Sequence, residues 1–184
     1  MSAGKQAAMF MEPTPFHQLH QCILTETRRR LFEESIPRVK KCLSLLSEAE
    51  TWYRPNAHSN SVGNLLLHLC GNARQWIVSG LGGAADTRRR QQEFDERGPI
   101  PQQLLLEQLD RLQQDVEAVL ARLQPTDLLA TYRVQGFEES GFGILLHVVE
   151  HFSYHVGQIT YFVKAHKDLD TGYYAGQNLD TVKE

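Results

Sequence analysis

Three of the eight histidines in this 184-residue chain stand at His147, His151 and His155, inside the run LLHVVEHFSYHVGQI. A step of four residues advances about 400° around a 3.6-residue helix, so successive members sit about 40° apart on one face. The surrounding Ile144, Leu145, Leu146, Val148, Val149, Phe152 and Ile159 are apolar, which turns that face toward a core. Imidazoles along a buried stripe need partners, because an unsatisfied buried polar group costs about 1–3 kcal/mol. A divalent metal would satisfy several of them at once. Without one, His151 and His155 read as surface or hydrogen-bonded core histidines. Glu150 is offset from His151 by about 100°, so it points away from the stripe and suits an ion pair better than a general base.

A metal also needs a ligand from another segment. His68, within VGNLLLHLCGN, is the candidate. Asn64 and Asn72 stand four residues to either side of it and Gln75 seven residues beyond, making a polar seam in a leucine-rich helix. Leu65, Leu66, Leu67 and Leu69 surround His68, so periodicity leaves open whether the seam faces solvent or an internal site. Asn72 and Gln75 are either pocket groups or structural hydrogen-bonders. Gln158 either orients a histidine or is a polar residue at the bundle rim. Trp52 and Trp76 read as packing anchors. The Arg88–Arg90 run with Glu93 reads as a cap on the bundle end, with an anion clamp as the alternative.

The elements that must carry these groups are helical. A first helix is predicted over about 16–47, kinked or interrupted by Pro37. Asn60 or Ser61 caps a second that runs to about Ser79, where Gly80, Gly82 and Gly83 stop it. DTRRRQQEFDERGPIP reads as a loop. The third helix has the cleanest period, with Leu105, Leu109, Leu112, Val116, Val119 and Leu123 at steps of four and three, and it ends at Pro125. Ala130–Gln135 suits a short strand, and the last helix runs from near Ser140 to about His166. The fold class expected is all-α: a four-helix bundle over 16–167, with a short extended segment before the last helix. A flexible segment over 1–15 precedes it, and a tail over 168–184 packs on or trails from it. Bundles build metal and cofactor sites from inward-facing side chains of separate helices.

Composition narrows the function. Lys+Arg 19 against Asp+Glu 22 leaves a net charge of −3, which argues against phosphate-backbone binding and hence against a nucleic-acid partner. Arg28–Arg30, close to Glu26, Glu33 and Glu34, reads as a solvated helix face. Cys22, Cys42 and Cys70 form no CxxC pair and suit a reducing cytosol. Residues 1–15 carry no long apolar stretch, so no secretory signal is expected, and no segment approaches the roughly 20 apolar residues that span a bilayer. A cytoplasmic protein with no membrane partner is expected.

The segment WYRPNAHSNSVGNLLLHLCGNARQWIVSGLGG, followed by RRRQQEF and HVVEHFSYHVGQI, resembles the DinB/YfiT-like family of metal-binding four-helix bundles over roughly residues 16–167. Its most specific part is the lone histidine of the second helix combined with HxxxHxGQI on the last. The resemblance implies that His68, His151 and His155 ligate a divalent metal, zinc or nickel, and leave positions open. It places His147 before the ligand pair without ligating. His147, Asn72 and Gln158 then stand as groups around the ligands or in the pocket. Tyr154 and Val156 occupy places where many relatives carry a histidine and an arginine, which removes basic contacts to a substrate. The implied activity is a metal-dependent thiol S-transferase or hydrolase acting on a small molecule, with a low-molecular-weight thiol as the co-substrate of a transferase and metal-activated water or thiol in place of a protein nucleophile. A non-catalytic metal-binding or interaction bundle is the other reading. The resemblance also implies a homodimer. Three neutral imidazoles suit borderline ions better than magnesium or calcium, and three protein ligands with an open position characterise catalytic rather than closed sites.

Overall fold

A computed structural model describes residues 14–98 and 100–182. Most of the expected N-terminal segment, residues 1–13, lies outside the described residues, as do Pro99 and the last two. Helix α1 (Pro15–Arg28) starts where the Thr14 hydroxyl accepts from the His17 backbone N–H at 3.4 Å, with a proline in the first turn. It widens into π-helical turns over Arg29–Ser35 and resumes as α2 (Ile36–Ser44). The interruption falls just before Pro37, which has no N–H to donate and whose ring crowds the carbonyl four residues back. The charged surface of α1 is a solvated face: Arg29 and Arg30 pair with Glu26 and Glu34, and Arg28 with Glu117.

A single turn, α3 (Glu48–Thr51), leads to α4 (Val62–Ala73). Ser61 caps α4 reciprocally. Its hydroxyl accepts from the Asn64 N–H at 3.1 Å, and Asn64 Oδ1 accepts from the Ser61 N–H at 3.2 Å. The helix continues as π-helical turns through Arg74–Leu81. The expected loop then contains a short helix, α5 (Arg90–Asp95), lying against α4. At six residues it has no apolar residue in the core and no side-chain cap, so nothing in its own sequence marks it as a helix.

Helix α6 (Gln102–Leu120) buries its whole predicted stripe, and Leu123 is buried just past its end. Each such aliphatic side chain contributes about 1.5–3 kcal/mol in gross transfer free energy. After a 3-10 turn (Pro125–Leu128), strands β1 (Thr131–Val134) and β2 (Phe137–Ser140) form an antiparallel hairpin with Val134 opposite Phe137. Gln135 and Gly136, at φ 54° and 85°, make a two-residue turn with both φ positive, as tight hairpins prefer. The second strand, Phe-Glu-Glu-Ser, lacks the alternation that would announce it. Helix α7 (Gly141–Lys167) begins with the Ser140 hydroxyl accepting from the Gly143 N–H at 3.0 Å.

The four major segments, α1–α2, α4 with its π-helical extension, α6 and α7, pack as a helical bundle with the hairpin placed before the last helix. Helix α4 lies against both α6 and α7, and α2 against α7. Beyond Asp168 the chain turns back, and the Tyr173 hydroxyl sits 2.8 Å from Thr160 Oγ1 and 3.0 Å from Cys42 Sγ. The three cysteines are free thiols. No helix among the described residues is long and apolar enough to cross a membrane.

Candidate metal centre

The polar seam of α4 is internal: Asn64, His68 and Asn72 are all buried. It faces α7, and there His68, His151 and His155 converge. One ring nitrogen from each lies within 4.8 Å of the others. His68 Nε2 and His151 Nε2 are 3.1 Å apart, close enough to share a proton or a cation. The His155 Nδ1–H donates to Gln158 Oε1 at 2.7 Å, which leaves Nε2 for the cluster. His151 Nδ1 is buried without a partner.

The donor set fits a metal ion. Burial first, and then the neighbouring His155, His68 and His147 with Arg88, push His151 down to about 3. Burial also lowers His155, against the opposing hydrogen bond to Gln158. Both rings are therefore neutral at ordinary pH, the form that ligates. Three clustered imidazoles could bind a metal ion.

His147 stands outside this group. Its Nε2 accepts from Asn72 Nδ2 at 3.3 Å and its ring stacks on Trp76 with centroids 3.8 Å apart. Burial lowers its pKa as well. Asn72 Oδ1 is buried without a partner. Trp76 is a core residue whose indole N–H reaches Gln135 Oε1 at 3.2 Å, and Trp52 donates to the Ile100 carbonyl at 3.0 Å, so both act as anchors. Val156 is buried in the core, while Tyr154 is exposed and packs edge-on to His155. Glu150 is exposed, and no ion pair reaches it among the described residues. Burial pushes the Cys70 thiol up to about 12, so this neighbour of His68 is not a thiolate.

Sequence reasoning missed the roles of Arg88 and Glu93. Read from the sequence as a bundle-end cap or an anion clamp, both pack directly on His68. Glu93 Oε2 lies 2.9 Å from His68 Nδ1, and Arg88 donates to Glu93 Oε1 at 2.7 Å and Oε2 at 2.9 Å. Burial by itself would raise the Glu93 pKa, but the hydrogen bonds from Arg88 and His68 outweigh it and hold the carboxyl low. Gln75, the last member of the seam, accepts from Arg88 at 2.8 Å. No local pattern signals this arrangement, which depends on where α5 comes to rest.

Gln158 is also part of the wall of an open cavity of about 600 Å³, together with Tyr53, Leu65, Tyr161, Phe162 and His166 among others. Its lining contains no lysine, arginine, aspartate or glutamate.

The helical bundle with a hairpin before its last helix is a DinB-like fold, and two solved structures share it. One is a DinB-like protein (YjoA) from Bacillus subtilis, 17% identical, with a TM-score of 0.59 over 81% of this chain and 94% of that one. The other is a conserved protein from Enterococcus faecalis, 15% identical, with a TM-score of 0.64 over 85% of this chain and 100% of that one. Residues 21–173 match the family described as "Protein of unknown function (DUF1572)", and the chain belongs to that family. No curated protein matches it.

Proposed function

We propose that His68, His151 and His155 hold one divalent ion, zinc or nickel, and that the protein is a metal-dependent enzyme, a thiol S-transferase or hydrolase acting on a small molecule. The observation that carries this is the group of three histidines with no fourth protein donor among the described residues, one of them hydrogen-bonded to Gln158 in the wall of an open cavity. When bound, such an ion acts as a Lewis acid and lowers the pKa of water or a thiol toward neutrality. His68 and His151 supply Nε2 from opposite helices, and Gln158 orients His155 while forming part of the cavity wall. The aromatic, uncharged lining suits a neutral or aromatic substrate. His147 is occupied by Asn72 and Trp76, which speaks against a sealed, non-catalytic site closed by a fourth histidine.

A homodimer in the cytoplasm belongs to the same reading. The leucine stripe of α6 lies inside the core, so a dimer would use another face, such as the outer side of α7 with exposed Leu146, Tyr154 and Tyr161.

Metal analysis of the purified protein, followed by a screen of thiol-transfer and hydrolysis reactions, tests the proposal. One equivalent of metal and turnover abolished by chelation are expected. Full turnover in verified metal-free protein would refute the mechanism, and a loaded protein that turns over nothing would favour the binding bundle. Light scattering at micromolar concentration tests the dimer, which a monomer mass would rule out.

A further inference from the structure

We propose that Glu93, braced by Arg88 and seated in space left by Gly71, positions His68 for the metal by holding the proton on Nδ1, so that Nε2 is presented bare to the cluster. This rests on the metal reading above.

A neutral imidazole carries one proton, and it ligates through Nε2 only when that proton is on Nδ1. Two groups compete for His68 Nδ1. The Glu93 carboxylate, at 2.9 Å, accepts from Nδ1–H, whereas Arg88 Nη2, at 3.1 Å, can only donate to a bare Nδ1. A bare Nδ1 would also set its lone pair against an anionic oxygen at 2.9 Å. The carboxylate therefore selects the tautomer that ligates. Remove its charge and the guanidinium draws the ring toward the opposite tautomer, with the proton on the nitrogen that must bind metal.

The three groups are buried together, with the side chains of His68, Glu93 and Arg88 only 6%, 11% and 4% exposed. Solvent therefore does little to level the contest between them.

The α4 helix is shaped for this contact. Gly71 lies one turn from His68 on the same face. A Cβ there would collide with Glu93 Oε1, and would lie 2.8 Å from Glu93 Cδ and 3.0 Å from Arg88 Nε. Glycine is unfavourable inside a helix, and this close approach gives a reason for it here. One turn before His68, Asn64 Nδ2 donates to the Glu93 and Glu96 carbonyls, at 2.9 Å each, which ties the backbone of α5 to the same face. Asn64, His68 and Gly71 thus all engage residue 93.

The test compares wild type, Glu93→Gln and Gly71→Ala by zinc titration calorimetry. Long-range proton–nitrogen NMR of the histidine rings in the metal-free proteins supplies a second readout. Wild type should bind one zinc, with His68 protonated on Nδ1. Both variants should bind about tenfold or more weakly, and Glu93→Gln should shift His68 toward the Nε2-protonated form. If Gly71→Ala does not fold, the isosteric Glu93→Gln decides alone. Zinc affinities within about twofold of wild type, or a His68 that carries its proton on Nε2 in wild type, would overturn the role given to Glu93. A wild type that binds no zinc overturns the metal reading, and this proposal with it.

Discussion

Helices α6 and α7 carry stripes of similar spacing and opposite chemistry. On α6 the repeating positions are Leu105, Leu109, Leu112, Val116 and Val119, all buried and satisfied by contact alone. On α7 the same four-residue step brings imidazoles to the interior face, and there burial creates a demand. His151 Nδ1 has no partner, and its Nε2 faces another ring nitrogen at 3.1 Å. An apolar stripe is complete once it is packed. A polar one is complete only when something else enters, and for that reason the second stripe reads as a site while the first reads as a core.

Matched truncations separate the two most sharply. His151→Ala should abolish stoichiometric metal binding while the bundle still folds, because two of the three ligands cannot hold the ion in place. Leu109→Ala should do the reverse, costing about 2–5 kcal/mol of stability for the cavity it opens while the folded protein keeps its metal. Calorimetry and urea denaturation on both variants check this. Loss of metal from folded Leu109→Ala would erase the distinction.

Acid should act on the histidine stripe and spare the leucine one. An unfolded histidine titrates near 6.5, whereas His151 in the fold is pushed down to about 3, by burial first and then by the neighbouring imidazoles and Arg88. Between those values the unfolded chain takes up a proton that the folded chain refuses, so stability falls as pH falls through that window and is insensitive to this group above it. Glu93, also held low, adds a loss that begins below its ordinary value of 4.5. Metal-free wild type should therefore lose urea resistance from neutral pH toward pH 4 more steeply than metal-free His151→Ala. Parallel curves would show that the cluster is not the acid-sensitive element.

The smallest effects belong to residues beside the stripe. Glu150→Gln, on an exposed side chain, should change metal affinity and stability little. His147→Ala should leave metal binding mostly intact and cost modest stability, as Trp76 loses the ring stacked on it at 3.8 Å. A calorimetric ranking in which His147→Ala removes more metal than His151→Ala would overturn the ligand assignment.

Short-range order was legible from the chain itself. A cap at Asn60 or Ser61, the start of the last helix near Ser140, the α6 stripe, the break near Pro37 and the one-turn spacing of the α7 histidines each depend on residues a few positions apart, where helix geometry leaves little choice. One strand of the hairpin was also legible. Phe137–Ser140 was not, because its pairing with β1, rather than its own pattern, makes it a strand. The α4 seam could not be assigned to core or solvent while leucines flanked His68 on every side, and packing against α5 and α7 decided it. The same is true of Arg88 and Glu93. Five residues apart in a stretch without periodicity, they look like surface charges until α5 settles over Gly71 and buries them against His68. Spacing along a helix sets which side chains share a face. Which groups meet that face from elsewhere depends on long-range packing, and only the tertiary structure could bring Glu93 to His68 and His68 to the histidines of α7.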